Sequence, residues 1–209
     1  MAQYRPRDFA AAVNVSRETV ARLQAYAKLL EQWQPKVNLI GASTLADLWS
    51  RHMLDSAQIF GYLPPGQVLD AGSGAGFPGL VLAIMAREDA GRGPVHLVES
   101  DGRKCAFLAE VVRATEAKAI IHNERVEAMA PFPVAAVTAR ALAPLNRLLP
   151  LVEHFLLPGT QAFFLKGRGV NDELTEARKD WKIVAERIQS ISDPSGVLLH
   201  ITEVQRGRS

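Results

Sequence analysis

The sequence predicts an α/β fold in which a doubly wound, mostly parallel sheet follows an N-terminal helical arm. Short β-branched runs alternate with helical stretches after residue 66. The runs are continuously apolar, which is typical of strands covered on both faces. The first run leads directly into a glycine-rich loop. Sheets of this kind bind ligands at the carboxyl ends of their strands, so the loop is the first place to look for a site.

Composition limits the class of protein. The 209 residues are 48% hydrophobic, which is enough for the core of one domain of this size. A net charge of +2 excludes a disordered or histone-like chain but leaves room for a local basic patch. A single cysteine, Cys105, excludes an internal disulfide and favours a reducing, cytoplasmic setting.

The sequence shows neither a membrane-spanning segment nor a metal-binding pattern. The longest apolar run, residues 79–86, is too short to cross a bilayer, so we expect no membrane partner. The five histidines show no ligand spacing, and one cysteine cannot build a cluster, so we expect no metal.

The N-terminal third has helical character and ends at the turn Pro64-Pro65-Gly66. We therefore predict an arm over residues 1–64 and a ligand-binding domain over 65–209. Ser16 is the expected cap of a first helix that Pro35 ends. A second helix is predicted from Ser43 to about Gly61.

The alternation after the turn assigns strands and helices in order. The predicted strands are residues 67–72, 95–100, 119–123, 134–140 and 160–167, and the helices between them begin near Pro78, Asp101, Pro144 and Asn171. The last stretch contains two β-like runs around Asp193-Pro-Ser-Gly196, which predicts an antiparallel addition at the edge.

The glycine-rich loop runs from Asp70 to Gly79, between the first strand and a helix. Gly74 to Gly79 satisfies GxGxxG, so a nicotinamide-dependent oxidoreductase is one alternative. Asp70 is expected to suit the ammonium and sulfonium of S-adenosylmethionine better than a pyrophosphate. Glu99, at the end of the second predicted strand, can accept hydrogen bonds from ribose hydroxyls. Together they favour S-adenosylmethionine as cofactor, and Asp70 and Gly74 are expected to contact it.

Several separated stretches resemble one family, the bacterial 16S rRNA guanine-N7 methyltransferases of the G type, also called glucose-inhibited division protein B. They are WQPKVNLIG (33–41), RHMLDSA (51–57), VLDAGSGAGFPGL (68–80), ESDGRKCAFL (99–108), RVEA (125–128), TARALAPL (138–145) and LKG (165–167). The resemblance implies a class I S-adenosylmethionine-dependent methyltransferase fold. It also implies transfer of a methyl group to N7 of a guanine in 16S rRNA of the small ribosomal subunit, with S-adenosylhomocysteine as product.

The resemblance also implies site residues. Gly72 and Phe77 are expected to line the cofactor site, with Glu99 as the ribose ligand. Val126 and Glu127 are expected beside the adenine, and Arg140 near the methionine end, where it positions the reactants. The structural alternatives are that Val126 only fills the core, Glu127 only caps a helix and Arg140 only neutralises Asp70.

The sequence gives weaker indications of the residues that contact the substrate than of those that bind the cofactor. Candidate RNA contacts are Arg51, His52, Arg103, Lys104, Lys166 and Arg168. Arg51 and His52 could equally belong to a polar network, with Asp55, that locks the arm to the sheet. We expect a monomer without an obligate protein partner.

The expected chemistry needs no general base, because guanine N7 has a free lone pair and loses no proton. The sequence shows no nucleophile–base–carboxylate arrangement, in agreement with this. Two alternatives remain besides the oxidoreductase. One is a non-catalytic rRNA-binding module, and the other is a methyltransferase with a protein or small-molecule acceptor.

Overall fold

A computed structural model describes residues 4–207, which fold around one seven-stranded sheet. The strands are β1 (Gly66–Ala71), β2 (Arg92–Val98), β3 (Ala119–His122), β4 (Ala136–Arg140), β5 (Gln161–Lys166), β6 (Trp181–Gln189) and β7 (Val197–Arg206). Their order is β3-β2-β1-β4-β5-β7-β6. The first five strands are parallel, whereas β7 pairs antiparallel with both β5 and β6. The predicted parallel sheet and antiparallel addition are confirmed.

The helices cover both faces of the sheet. They are α1 (Pro6–Val13), α2 (Arg17–Trp33), α3 (Asp55–Ala57), α4 (Gly79–Met85), α5 (Gly102–Thr115), α6 (Leu145–Val152) and α7 (Val170–Ala177). One apolar core lies between the sheet and α2, α4 and α5, and the other lies between the sheet and α6 and α7. Strand order reverses beside β1, which has β2 on one side and β4 on the other, so this is the switch point at which such sheets bind ligands.

The N-terminal segment shares the first core. Leu23 and Leu30 of α2 are fully buried together with Leu80 of α4 and Phe107 of α5. Ser16 caps α2 as predicted, because its Oγ accepts a hydrogen bond from the Thr19 backbone N–H at 2.9 Å. The arm is therefore packed against the sheet domain through apolar side chains.

The predicted second helix of the arm is wrong in form. Residues Ala42–Asp47 and Phe60–Tyr62 are 3₁₀ turns, and a π-helical segment, Trp49–Leu54, leads into the single turn of α3. The wider turn buries His52, Met53 and Leu54 in succession, which a regular helix with one apolar stripe would not do. π-Helical turns are frequently found at functional sites. Within residues 4–207, no helix is both long and apolar enough to cross a membrane.

Candidate active site

A cleft of about 550 Å³ opens at the carboxyl ends of β1, β2 and β4. This volume falls within the range of about 300–1,000 Å³ that is usual for small-molecule sites. Seven of the eight predicted cofactor residues line it: Gly72, Gly74, Phe77, Glu99, Val126, Glu127 and Arg140. Leu39 and Ile40, from the stretch that precedes the π-helical segment, also line it.

The loop after β1 approaches the cleft closely because it has almost no side chains. Gly72 has a φ of +67°, and a Cβ atom there would lie 2.6 Å from Cδ1 of Leu142. An L-residue is therefore opposed by both backbone conformation and space. Leu142, which sequence reasoning missed, lines the same cleft and is partly exposed.

Glu99 is fixed before any ligand arrives. Its Oε2 accepts a hydrogen bond from the Gly74 N–H at 2.9 Å, and its Oε1 accepts one from the Asp101 N–H at 2.8 Å. A carboxylate has about four acceptor sites, so each oxygen can accept one more hydrogen bond. The side chain is 9% exposed, and that exposed part belongs to the cleft. The pair of oxygens fits two neighbouring hydroxyl groups.

The expected contact between Asp70 and the cofactor is wrong. Asp70 is fully buried and does not line the cleft. Its Oδ1 accepts a hydrogen bond from Thr138 Oγ1 at 2.8 Å, and its Oδ2 accepts one from the Gly79 N–H at 3.2 Å. The carboxylate therefore ties β1 to β4 and to the first turn of α4. A pyrophosphate of a dinucleotide normally uses that first turn, so Asp70 still argues against the oxidoreductase, by occupying the place itself.

Burial raises the pKa of Asp70 to about 6, although hydrogen bonds from Ser73, Thr138 and Gly79 act in the opposite direction. The folded protein then holds this proton more tightly than the unfolded chain does. The buried charge costs about 3 kcal/mol above pH 6, and the cost disappears as the pH falls to about 4.

We expect Asp70→Asn to remove this pH dependence while it keeps the size of the side chain. The free energy of unfolding, measured by urea titration at pH 7 and pH 4, should shift in favour of the wild type by up to about 3 kcal/mol on acidification. Parallel pH profiles for the two proteins would show that Asp70 titrates as it does in the unfolded chain.

Phe77 forms an aromatic floor between the loop and the arm. Its ring stacks on Tyr26 of α2, with centroids 5.3 Å apart, and lies 5.0 Å from the ring of His52. Tyr26 also donates a hydrogen bond from its hydroxyl to the backbone carbonyl of Ala75. Tyr26 is thus a buried support of the loop that the sequence reasoning did not single out, although it lies three residues after the apolar Leu23 on the same helix.

Arg140 connects the sheet to the arm rather than neutralising Asp70. Its Nη2 donates to the carbonyl of Arg51 at 3.0 Å, its Nε lies 3.5 Å from Oδ2 of Asp55, and its guanidinium is 5.8 Å from the Phe77 ring centroid. Nη1 is buried and has no hydrogen-bond partner in the described part of the chain. Burial lowers the pKa of Arg140, and Asp55 opposes that change. The residue carries a donor that a ligand could satisfy.

The network at Asp55 agrees with the alternative in which the arm is locked to the sheet. Besides Arg140, Asp55 accepts hydrogen bonds at its Oδ1 from Ser192 Oγ at 2.7 Å and from Gln58 Nε2 at 2.9 Å. Ser192 belongs to the turn between β6 and β7. Three distant parts of the chain therefore meet at one carboxylate.

The predicted RNA contacts divide into three groups. Lys104 and His52 line the cleft, but His52 is 7% exposed, and burial with the nearby Arg140 lowers its pKa to about 3. The ring is neutral, and its Nε2 forms a hydrogen bond with Thr44 Oγ1 at 2.9 Å. His52 therefore offers RNA an uncharged planar ring and no positive charge. Arg103 is exposed and paired with Asp101, and Arg168 is exposed after β5.

Arg51 and Lys166 line a second cavity of about 370 Å³, which adjoins the cleft and shares Arg140 and Ala141 with it. Ala141 has a φ of +52°, a strained conformation for a residue with a side chain. Lys166 is only 8% exposed and forms an ion pair with Glu173 at 2.8 Å, so the expectation that it grips RNA directly is wrong. Glu173 was not foreseen from the sequence.

Among residues 4–207, no group of three or more histidine, cysteine, aspartate or glutamate side chains is arranged to hold a metal ion. The chemistry of the cleft is that of a rigid, water-accessible binding site with a carboxylate, an aromatic floor and a buried guanidinium.

Comparison with known proteins agrees with this geometry. The family model for rRNA small subunit methyltransferase G matches residues 19–201. The chain is 56% identical over 203 residues to ribosomal RNA small subunit methyltransferase G of Rhodospirillum rubrum, covering 96% of this chain and 98% of that protein. It is 53% identical over 206 residues to the protein of the same name from Paramagnetospirillum magneticum, covering 98% of each.

Solved structures are similar in fold. A mutant of MtNAS in complex with S-adenosylmethionine aligns with a TM-score of 0.55 at 12% identity, covering 95% of this chain and 84% of the other. The ribosomal protein L11 methylase from Lactobacillus delbrueckii subsp. bulgaricus aligns with a TM-score of 0.54 at 15% identity, covering 73% and 77%. The fold is that of the class I methyltransferases, and the chain belongs to the rRNA small subunit methyltransferase G family of S-adenosylmethionine-dependent methyltransferases.

Proposed function

We propose that this protein transfers the methyl group of S-adenosylmethionine to N7 of a guanine in 16S rRNA of the small ribosomal subunit. The observation that carries the proposal is the cleft at the switch point of the sheet, where Glu99, Phe77 and Arg140 meet beside the glycine loop. Family membership supplies the class of substrate.

The residues of the cleft fit an adenosine-containing ligand with a charged amino-acid end. The two held oxygens of Glu99 suit the ribose hydroxyls, and Val126 with Glu127 offers an apolar surface and an acceptor for the adenine. Gly72 leaves the space that a Cβ would fill. The unpaired Nη1 of Arg140 suits an anionic group, such as the carboxylate of the methionine end.

The bound cofactor supplies an electrophilic methyl group on a sulfonium. The task of the protein is to hold the acceptor nitrogen in line with that methyl, and good positioning can contribute roughly 7–11 kcal/mol to lowering the barrier. Guanine N7 needs no deprotonation. The buried, neutral His52 and the buried Asp70 therefore have structural roles in this proposal, and neither acts as a general base.

The proposed RNA contacts are Arg51, Lys104, Arg103 and Arg168, which are wholly or partly exposed around the two cavities or after β2 and β5. Arginine and lysine at these points would contact phosphates and leave base selection to the cavities. We also propose that the enzyme acts as a monomer without an obligate protein partner. A ribosomal substrate fits action in the cytoplasm.

The test is incubation with methyl-labelled S-adenosylmethionine and unmodified small ribosomal subunits, followed by cleavage chemistry specific for N7-methylguanine. Label at a single guanine of 16S rRNA is the expected result. Cofactor binding without transfer to subunits or to free 16S rRNA would overturn the substrate and favour the non-catalytic or other-acceptor alternatives.

We expect Glu99→Ala to raise the dissociation constant of S-adenosylhomocysteine by at least about 10- to 100-fold, because losing even one hydrogen bond to a charged group costs roughly 1.5–3 kcal/mol. Isothermal titration calorimetry gives the constant. Glu99→Gln keeps one acceptor and should fall between the two proteins. Glu110→Gln, which changes a half-buried carboxylate of α5 paired with Arg113 away from the cleft, serves as the control. Normal binding by Glu99→Ala would sink the ribose assignment.

A further inference from the structure

The second cavity is built as a binding site on the acceptor side of the cleft. It adjoins the cleft at Arg140 and Ala141, and its volume of about 370 Å³ can enclose a purine base. Arg51 lies on its lining, and Asp193 of the β6–β7 turn, also on the lining, lies within the electrostatic reach of both Arg51 and Arg168. A nucleotide whose base enters here would have cations near its phosphates.

Glu173 lines this cavity, and its carboxylate is fixed in position. Its Oε2 accepts hydrogen bonds from Lys166 Nζ at 2.8 Å and from the Leu145 N–H, at the start of α6, at 2.8 Å. Lys166 is itself held, since it also donates to the carbonyl of Ala143 at 2.9 Å. No hydrogen bond from residues 4–207 reaches Oε1 of Glu173. The result is a rigid acceptor with unused capacity.

Of the other two carboxylates on the lining, Asp193 lies on the β6–β7 turn near Arg51 and Arg168, and Asp55, next to Arg140, is already engaged. Asp55 accepts at Oδ1 from Ser192 and Gln58, and its Oδ2 faces the guanidinium of Arg140. Glu173 therefore differs from Asp55 in having an oxygen free of both hydrogen bonds and ion pairs in the described chain.

The edges of guanine match this arrangement. N7 and O6 lie on one edge and must face the cleft, where the methyl group is presented. The Watson–Crick edge continues from O6 through two donors, N1–H and the exocyclic 2-amino group, whereas adenine has no amino group at C2. A base that turns N7 toward the cleft directs those donors into the second cavity.

We propose that the second cavity holds the acceptor guanine and that Oε1 of Glu173 accepts a hydrogen bond from its 2-amino group, which selects guanine over adenine. Lys166 is then a positioning residue that acts through Glu173. This inference rests on the proposed function, because it names how the acceptor of that reaction is recognised.

The test combines a change in the protein with a change in the base. Small subunits are reconstituted with inosine, which lacks the 2-amino group, at the guanine that the wild-type enzyme labels. Transfer rates at saturating S-adenosylmethionine are compared for the wild type and Glu173→Gln on both substrates. Any intrinsic difference in N7 reactivity is the same for both enzymes and cancels.

The wild type should methylate the guanosine subunit about 10-fold faster than the inosine subunit, since one hydrogen bond to a charged acceptor is lost. In Glu173→Gln the amide oxygen can keep the bonds to Lys166 and Leu145, and the amide N–H₂ then faces the base. The ratio for this variant should fall to about 1 or below, because a donor replaces an acceptor.

One further variant tests the same hydrogen bond independently, and another serves as a control. Glu173→Asp keeps the charge but withdraws the acceptor by one methylene group, so its ratio should also fall even if the glutamine variant folds poorly. Glu176→Gln, on the same helix and paired only at the surface with Lys179, should keep the wild-type ratio. Equal ratios in the wild type and both Glu173 variants would overturn the inference while transfer to guanine stands. Absence of wild-type transfer to any subunit would instead overturn the proposed function itself.

Discussion

Replacement of Arg140 by alanine is expected to reduce methyl transfer by at least about 100-fold at saturating cofactor, which is the usual cost of removing one preorganised charged donor from an active site. Arg140 is the one long cationic side chain that lines both cavities in the described structure. Its guanidinium also fixes the arm by donating to the Arg51 carbonyl. The variant should therefore lose a ligand contact and also the hydrogen bond that holds the arm in place beside the two cavities.

The structural cost of the same change should be modest. Asp55 keeps its hydrogen bonds from Gln58 and Ser192 when Arg140 is removed, so its carboxylate is not left unpaired. We expect a loss of about 1–3 kcal/mol in the free energy of unfolding, the usual result of removing a partner from a partly buried polar group. Folding and cofactor binding can then be measured on a protein that still folds.

The assay is single-turnover transfer to small subunits, with the melting temperature measured on the same preparations. Arg140→Lys keeps the charge but loses the fork of donors, so it should recover only part of the rate. Arg113→Ala, which removes an exposed arginine of α5, is the matched control. Transfer by Arg140→Ala within a few-fold of the wild type would return Arg140 to a purely structural role.

The sequence predicted the cleft-lining residues correctly where residues suited to binding the cofactor directly follow the ends of strands. The glycines of the loop, Phe77 and Glu99 all follow strand ends, and the carboxyl ends of parallel strands meet at one edge of the sheet. The strands and the β6–β7 hairpin were also predicted, because short apolar runs bounded by turn residues are typical of strands.

The errors at Asp70 and Lys166 come from the face of the strand, which order along the chain does not reveal by itself. Successive side chains of a strand point to opposite faces. Val68 packs in the core beside α4 and Leu69 in the core beside α6, so Asp70 must face α4. The alternation in β1 contained this signal, and it moves Asp70 from the cleft to a position behind the loop.

The same alternation explains Lys166 and Arg140. Phe164 packs toward α6 and α7, so Lys166, two residues later, faces those helices and meets Glu173 there. Ala136 packs toward the arm, so Thr138 and Arg140 face it too. Asp55 could not be foreseen as a partner of Arg140, because it comes from the arm, far away in the sequence. Glu173 lies only seven residues after Lys166, in the helix that follows β5, so its position along the chain was an available signal.

The arm was the least predictable part. Its apolar residues permit a regular helix from Ser43, whereas the chain instead combines 3₁₀ and π-helical turns. The difference depends on tertiary packing, since His52, Met53 and Leu54 are all buried and the His52 ring packs beside Phe77. Local propensity cannot specify that choice, because it is decided by the surfaces that the segment packs against.

Gly79→Ala is expected to be a strongly destabilising change in the loop. A Cβ at Gly79 would overlap the side chain of Leu97 and lie 2.5 Å from Oδ2 of Asp70. Both neighbours are fully buried, so neither can move into solvent. The contact would also separate Asp70 from the Gly79 N–H and leave a buried carboxylate with one partner fewer. We expect a loss of about 3 kcal/mol or more, from overpacking together with the broken hydrogen bond.

Gly61→Ala provides the matched control, because nothing lies within 4 Å of a Cβ at that position. It should be neutral or stabilise the protein by up to about 1 kcal/mol through a less flexible unfolded chain. Urea unfolding of both variants gives the comparison, and calorimetry with S-adenosylhomocysteine measures whether the loop still binds. If Gly79→Ala unfolded at the same urea concentration as Gly61→Ala, the loop must move away from Leu97 and Asp70 at little cost in free energy. The bonds from Asp70 to Thr138 and to α4 would then be dispensable for the geometry of the cleft.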